Sequence, residues 1–178
     1  MHRIIVTIDG PAGSGKSTVA RKLANKLAFI HLNSGALFRA VGVLARREGI
    51  ALDDDDQVSA LARRTRFEFR LVDTSVSDRD TSAPDGERRT QLMVDGRSMD
   101  SDLFSVEGGH AASQVALLPQ VRAVLDGVQR DAAHGQSVVL EGRDAGTIVF
   151  PDADCKFFLD AALEVRARRR FEELERSG

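Results

Sequence analysis

The run Gly10-Pro11-Ala12-Gly13-Ser14-Gly15-Lys16-Ser17-Thr18 constrains this chain more than any other stretch, because it separates two segments of opposite periodicity. Before it, Ile4, Ile5, Val6 and Ile8 make Arg3 to Asp9 an almost unbroken apolar run, the pattern of a central strand buried on both faces. After it, Val19, Ala20, Leu23, Ala24 and Leu27 recur at helical spacing over Lys16 to Leu27. A buried strand feeding a helix predicts a parallel sheet covered by helices, an α/β fold. The linking residues match G-x-x-x-x-G-K-[ST] through Gly10, Gly15, Lys16 and Ser17. Glycines let the backbone approach an anion, and consecutive N–H groups and the positive end of the helix face it. Lys16 adds a mobile charge and Ser17 a hydroxyl for Mg2+, so Gly10 to Thr18 reads as a polyphosphate cradle. A turn that merely joins strand to helix is the plainer alternative, and the complete motif in its strand, loop, helix context outweighs it.

The rest of the chain alternates in the same way. Phe29 to Leu32 reads as a second strand, and Ser34 in the turn Asn33-Ser34-Gly35 is suited to cap the helix that carries Leu37, Val41 and Leu44. The acids Asp53 to Asp56 precede Val58, Leu61 and Ala62 and read as a helix N-terminus rather than a metal site. From Arg66 the pattern changes: Phe67, Phe69 and Leu71 alternate with Glu68, Arg70 and Val72, and Leu92-Met93-Val94 returns as a strand before the turn pair Asp95-Gly96. Asp73 to Arg89, with the turn signal Pro84-Asp85-Gly86, reads as a long mobile hairpin loop between them. Two helices follow, Val106 to Ala116 and Pro119 to Ala133, then a strand at Ser137 to Leu140, another at Lys156 to Leu159 and a final Arg-rich helix from Leu163 to Arg176. The expected organisation is a core of residues 1–65 and 114–178 interrupted by a small β-rich insertion at 66–113.

Charge and cysteine content narrow the function classes. Lys plus Arg number 25 against 27 Asp plus Glu, a net charge of −2, which gives no overall attraction for nucleic acid or an anionic membrane. One cysteine, Cys155, leaves no internal disulfide, and no apolar run approaches the roughly 20 residues needed to cross a bilayer. A cytoplasmic monomer is the expectation, with Cys155 half-buried beside Phe157-Phe158-Leu159.

Ligands of open parallel sheets gather outside the carboxyl ends of the strands. Three such ends carry polar groups here: Asp9 with the cradle, Asn33-Ser34 with Arg39 one turn on, and Glu141-Arg143-Asp144. Transfer of a terminal phosphoryl group to a small acceptor needs cations for the acceptor's own phosphate, and the guanidinium forks of Arg39 and Arg143 suit that task. Glu141 is placed to hold Mg2+ through its water shell, and Asp144 to read a base. Arg166, Arg169 and Arg170 share a helix face at i, i+3 and i+4, which either reaches the donor phosphates or is a solvated face.

Together, Gly10 to Thr18, Leu32-Asn33-Ser34-Gly35-Ala36-Leu37-Phe38-Arg39, Ala112-Ser113-Gln114-Val115 with Pro119 and Arg122, and Glu141-Gly142-Arg143-Asp144-Ala145-Gly146-Thr147-Ile148-Val149-Phe150-Pro151-Asp152-Ala153 resemble the bacterial cytidylate kinases. The resemblance runs through nearly the whole chain in order, and its last stretch is far more specific than the cradle. It implies the P-loop kinase fold with an inserted acceptor-binding subdomain, and transfer of a phosphoryl group from ATP, with Mg2+, to CMP or dCMP. By that similarity Arg39 and Arg143 hold the acceptor phosphate, and Ser113, Arg122 and Asp144 read the cytosine. The expected site thus has Lys16, Arg39 and Arg143 as catalytic residues, Ser17 and Glu141 for the metal, and Ser34 beside the acceptor phosphate. Three positions depart from the family pattern: Asn33 stands for Asp, Phe38 for Tyr, and Leu103-Phe104-Ser105 for Ile-Arg-Thr. The family continues beyond the equivalent of Gly178 with an Arg- and Asp-rich lid segment. Two other readings stay open from the residues: a P-loop kinase for a modified pyrimidine nucleotide, and a regulatory nucleotide-binding module without kinase turnover. The second lacks a guanine-reading Asn-Lys-x-Asp run, since Asn25-Lys26 is followed by Leu27-Ala28.

Overall fold

A computed structural model of the chain describes residues 3–73, 88–99, 103 and 105–177. The chain runs β1 (Ile5–Asp9), α1 (Lys16–Leu27), β2 (Ile30–Asn33), α2 (Ser34–Arg47), α3 (Asp55–Arg64), β3 (Phe67–Asp73), β4 (Arg88–Val94), β5 (Arg97–Ser98), α4 (Val106–Val115), α5 (Pro119–Ala132), β6 (Val138–Gly142), a π-helical turn (Ala145–Val149), β7 (Cys155–Phe158) and α6 (Leu163–Ser177).

Strands β1, β2, β6 and β7 form one parallel sheet in the order β2-β6-β1-β7. The unbroken apolar run of β1 follows from its place in that sheet. Ile5 joins Leu32, Val138, Leu140, Val149 and Phe150 on one face, while Val6 and Ile8 join Ala20, Ala24 and Val139 under α1 on the other. With both faces covered, alternation has no work to do and every position favours an apolar side chain.

A second sheet, β3-β4-β5, is antiparallel, with Phe67 opposite Val94 and Asp73 opposite Arg88. The hairpin loop read from Asp73 to Arg89 is framed by that last pair, and its residues 74–87 lie outside the described ones. Asp95 (φ 48°) and Gly96 (φ 78°) turn β4 into β5, both in the left-handed region that the tightest hairpin turns demand. Leu92 and Val94 of β4, with Met99 and Leu103, enter the largest core cluster together with α2, α3, α4 and α5. The antiparallel sheet therefore shares its core with the helices of the parallel one. Helices α2 and α4 approach closely at Gly42, where a Cβ would stand 2.7 Å from that of Ala111.

The acids at 53–56 act as helix N-terminus groups, as their position predicts. Asp54 caps α3, its side chain accepting the Gln57 N–H at 2.9 Å. Asp55 reaches the neighbouring helix, accepting the N–H groups of Gln120 and Val121 at the start of α5, which Leu118 cannot cap.

Two expectations are corrected. Asn33, not Ser34, caps α2: it holds the extended conformation a cap requires (φ −98°, ψ 100°), and its Oδ1 accepts the Ala36 N–H at 3.0 Å. Ser34 is already helical and buried. Cys155 is exposed rather than half-buried, because β7 is the edge strand and all four of its residues are exposed.

Candidate active site

The carboxyl ends of three parallel strands lie side by side. Glu141 of β6 is in register with Asn33 of β2 on one side and with Ile8 of β1 on the other, and Gly142 with Asp9. The polar groups singled out in the sequence thus meet at one edge of the sheet.

The cradle begins where β1 ends. Gly10 (φ 148°) lies so close to the chain after β7 that a Cβ would be 2.0 Å from the Leu159 carbonyl oxygen, and only glycine fits. Gly15 sits left-handed at the N-cap of α1 and gives the helix no side-chain cap, so the first N–H groups of α1 have no side chain of Gly15 over them. The Lys16 ammonium donates to the Pro11 carbonyl at 2.8 Å, across the loop. Burial lowers the Lys16 ammonium below its ordinary value, with Arg143 adding to that and Glu141 and Asp9 opposing it. The Ser14 hydroxyl is buried without a hydrogen-bond partner among the described residues, a polar group that an anion in the loop would satisfy.

Beside the cradle, the Ser17 hydroxyl donates to Glu141 Oε2 at 2.7 Å, and His31 Nε2 lies 3.1 Å from Glu141 Oε1. Burial pushes the Glu141 carboxyl up, but the hydrogen bond and charge of His31, the Ser17 hydroxyl and the Lys16 ammonium outweigh it and hold the group below the ordinary glutamate value. A hydroxyl and an ionised carboxylate side by side are hard oxygen donors, a fit to Mg2+ that keeps most of its water. Among the described residues no group of three His, Cys, Asp or Glu side chains forms a full metal cage.

A third cluster lies beyond β6. The guanidinium of Arg122, on α5, pairs with Asp144, donates to the Ala116 carbonyl at 3.1 Å, and stands 5.9 Å from the centroid of the Phe38 ring. Asp9 ties this cluster to the cradle: its two carboxylate oxygens accept the N–H groups of Ala145 and Gly146, each at 2.8 Å. Gly146 is packed so tightly that a Cβ would be 2.6 Å from Thr7 Oγ1. Arg39 reaches back along α2, its Nη1 lying 3.5 Å from where a Gly35 Cβ would stand, and Ser34 sits against Gly142. Arg143 is exposed, near enough to Lys16 for its charge to act there. The Ser113 hydroxyl donates to the Gly109 carbonyl of its own helix at 3.1 Å.

The profile of the cytidylate kinase family matches residues 6–178. The chain belongs to the cytidylate kinase family. It is 39% identical over all 178 residues to the cytidylate kinase of Haemophilus ducreyi, covering 73% of that relative. Against the cytidylate kinase of Caldanaerobacter subterraneus it is 42% identical over 173 residues, 97% of this chain and 69% of the relative. The cytidylate kinase of Vibrio cholerae is 40% identical over 177 residues, 99% of this chain and 72% of that one.

In this cytidylate kinase family member one residue was invisible to motif reading, and another was singled out only as part of a helix face. His31 carries no signal by itself, and only the register of Asn33 with Glu141 brings a side chain two residues upstream onto that carboxylate. Arg169, one of three candidate arginines on α6, donates from Nη1 to the carbonyls of Gly13 and Ser14 at 3.3 and 3.1 Å. Arg166 instead donates to the Ala161 carbonyl at 3.0 Å, near the start of its own helix, and Arg170 lies by Gly109 of α4.

Proposed function

We propose that this chain transfers the γ-phosphoryl group of ATP to the phosphate of CMP or dCMP, giving ADP and the corresponding diphosphate. The observation that carries the reading is the pair of reaches made by one short segment. Glu141 bonds Ser17 of the cradle and Asp144 pairs with Arg122, so donor and base-reading groups are three residues apart at the end of β6. Family membership selects the pyrimidine acceptor.

In the step itself an anionic oxygen of the acceptor phosphate attacks the γ-phosphorus in line. The new P–O bond forms as the bond from that phosphorus to the bridging oxygen breaks, and the electron pair leaves with ADP. No protein nucleophile takes part, and a phosphate oxygen already ionised near pH 7 needs no strong general base. Gly10 to Thr18 hold the donor, Lys16 neutralises charge spreading over the transferring group, and Arg39 and Arg143, with Ser34, hold the acceptor phosphate. Arg122 offers donors to the cytosine ring acceptors, and Asp144 accepts from the exocyclic amine. Ser113 joins them once its hydroxyl turns from Gly109. Ser17 and Glu141 would hold Mg2+, which when bound screens the phosphate charge.

The insertion at 66–113, between core segments 1–65 and 114–178, is assigned to the acceptor, supported by its separate antiparallel sheet. No helix among the described residues is long and apolar enough to cross a membrane. A monomer working in the cytoplasm on small nucleotides, without nucleic acid, fits the balanced charge and the lack of any disulfide partner for Cys155.

The test is ADP release by the purified protein with a panel of nucleoside monophosphates. CMP and dCMP should stimulate it far above UMP, AMP and water. A rate that none of them raises would leave slow hydrolysis and sink the kinase reading.

A further inference from the structure

The outer side of the cradle is held by α6. Nη1 of Arg169 donates to two successive carbonyls of the loop, those of Gly13 and Ser14. The helix backbone comes as near as the side chain: Gly13 (φ 74°) lies where a Cβ would be 2.7 Å from the Arg166 carbonyl oxygen. At Gly15 a Cβ would stand 3.4 Å from Arg169 Nη1 itself. The loop and α6 therefore touch along three consecutive residues.

A trans peptide points its C=O and N–H in opposite directions, and the described chain has no cis bond. Holding the Gly13 and Ser14 carbonyls toward α6 turns the N–H groups of Ser14 and Gly15 away from it, into the loop, where the Ser14 N–H donates to the Pro11 carbonyl at 3.4 Å. A carbonyl that swung round would present a partial negative charge to an incoming phosphate. Arg169 opposes that swing, because a guanidinium only donates and stays charged. We propose that Arg169 is a positioning residue of the donor site: it fixes the carbonyl side of the cradle and so keeps the loop amides oriented for polyphosphate, without itself touching the nucleotide. The proposal rests on the reading of Gly10 to Thr18 as the ATP loop and adds the device that pre-organises it.

The experiment compares the full chain with Arg169→Met and Arg169→Lys. In nucleotide-free protein, amide hydrogen exchange resolved by NMR should quicken about tenfold in the Met variant at Ser14, whose N–H the loop holds on the Pro11 carbonyl. Calorimetry should show ATP bound about tenfold more weakly, with CMP affinity and melting temperature unchanged, and the Lys variant should recover part of both effects. Unchanged exchange at Ser14 would overturn the proposal. In that case a fall in ATP affinity would mean that Arg169 contacts the nucleotide directly. Equal losses of ATP and CMP affinity would also overturn it, by showing a general structural role. Because the exchange readout uses neither nucleotide nor turnover, it stands even if CMP is not the acceptor.

Discussion

The cradle proposed for the donor and the corner proposed for the acceptor share one end of one sheet, yet they are held in different ways. The cradle is nine contiguous residues whose shape is set by backbone: left-handed Gly13 and Gly15, a Gly10 with no space for a Cβ, and carbonyls tied to Lys16 and Arg169. The acceptor corner is built from side chains of three elements, Phe38 on α2, Arg122 on α5 and Asp144 after β6, drawn together by one ion pair and a cation over an aromatic face. The first should fail by shape and the second by charge.

The largest effect expected separates charge in transit from charge at rest. Arg143→Ala should lower turnover with CMP about a thousandfold or more by removing a cation from the transferring group, and near-normal kcat and KM would take Arg143 out of the site. Asp144→Ala should cost less, about a hundredfold in kcat/KM for CMP, because it leaves the half-buried Arg122 without its partner. It should also relax discrimination between CMP and UMP; unchanged selectivity in a competition assay would contradict the base-reading role. Gly146→Ala tests whether part of the acceptor corner is shape-limited like the cradle. Its new methyl against Thr7 should destabilise the fold by about 1–3 kcal/mol in urea denaturation. Asn33→Ala should cost about 1 kcal/mol through the lost cap of α2, measured in the same way.

The smallest effect is in pH. The folded-state value of Glu141 is depressed, so its contribution to stability is present above the ordinary glutamate value of about 4.3 and is lost as pH falls through the lower folded one. Thermal melts of Glu141→Gln should lose less stability than the parent chain over that acid window. Parallel curves would show that the His31 and Ser17 bonds do not stabilise the ionised form.

The same contrast explains what could be read from the sequence. The β1, cradle, α1 unit was legible because strand period, glycines and helix period are all local. The start of α5 at Pro119 and the capping acids before α3 were legible for the same reason. The Asn33 cap was missed because Asn and Ser are equally good caps in adjacent places, and only the backbone angles decide between them. Cys155 misled because Phe157-Phe158-Leu159 has the composition of a buried strand, while burial depends on a neighbour; at the sheet edge Phe158 is 72% exposed. His31 needed a contact across 110 residues that no spacing rule encodes, and spacing put Arg169 on a face with Arg166 and Arg170 while only its contact across 155 residues told the three apart.

Asp9 has a further consequence. It is the last residue of β1, so the next peptide opens the cradle, and its carboxylate holds the amides that open the turn behind Asp144. One residue thus sets the gauge between the two halves of the site, by covalent bonds on one side and two hydrogen bonds on the other. The distance between the two halves is therefore set at the end of a strand buried along its whole length.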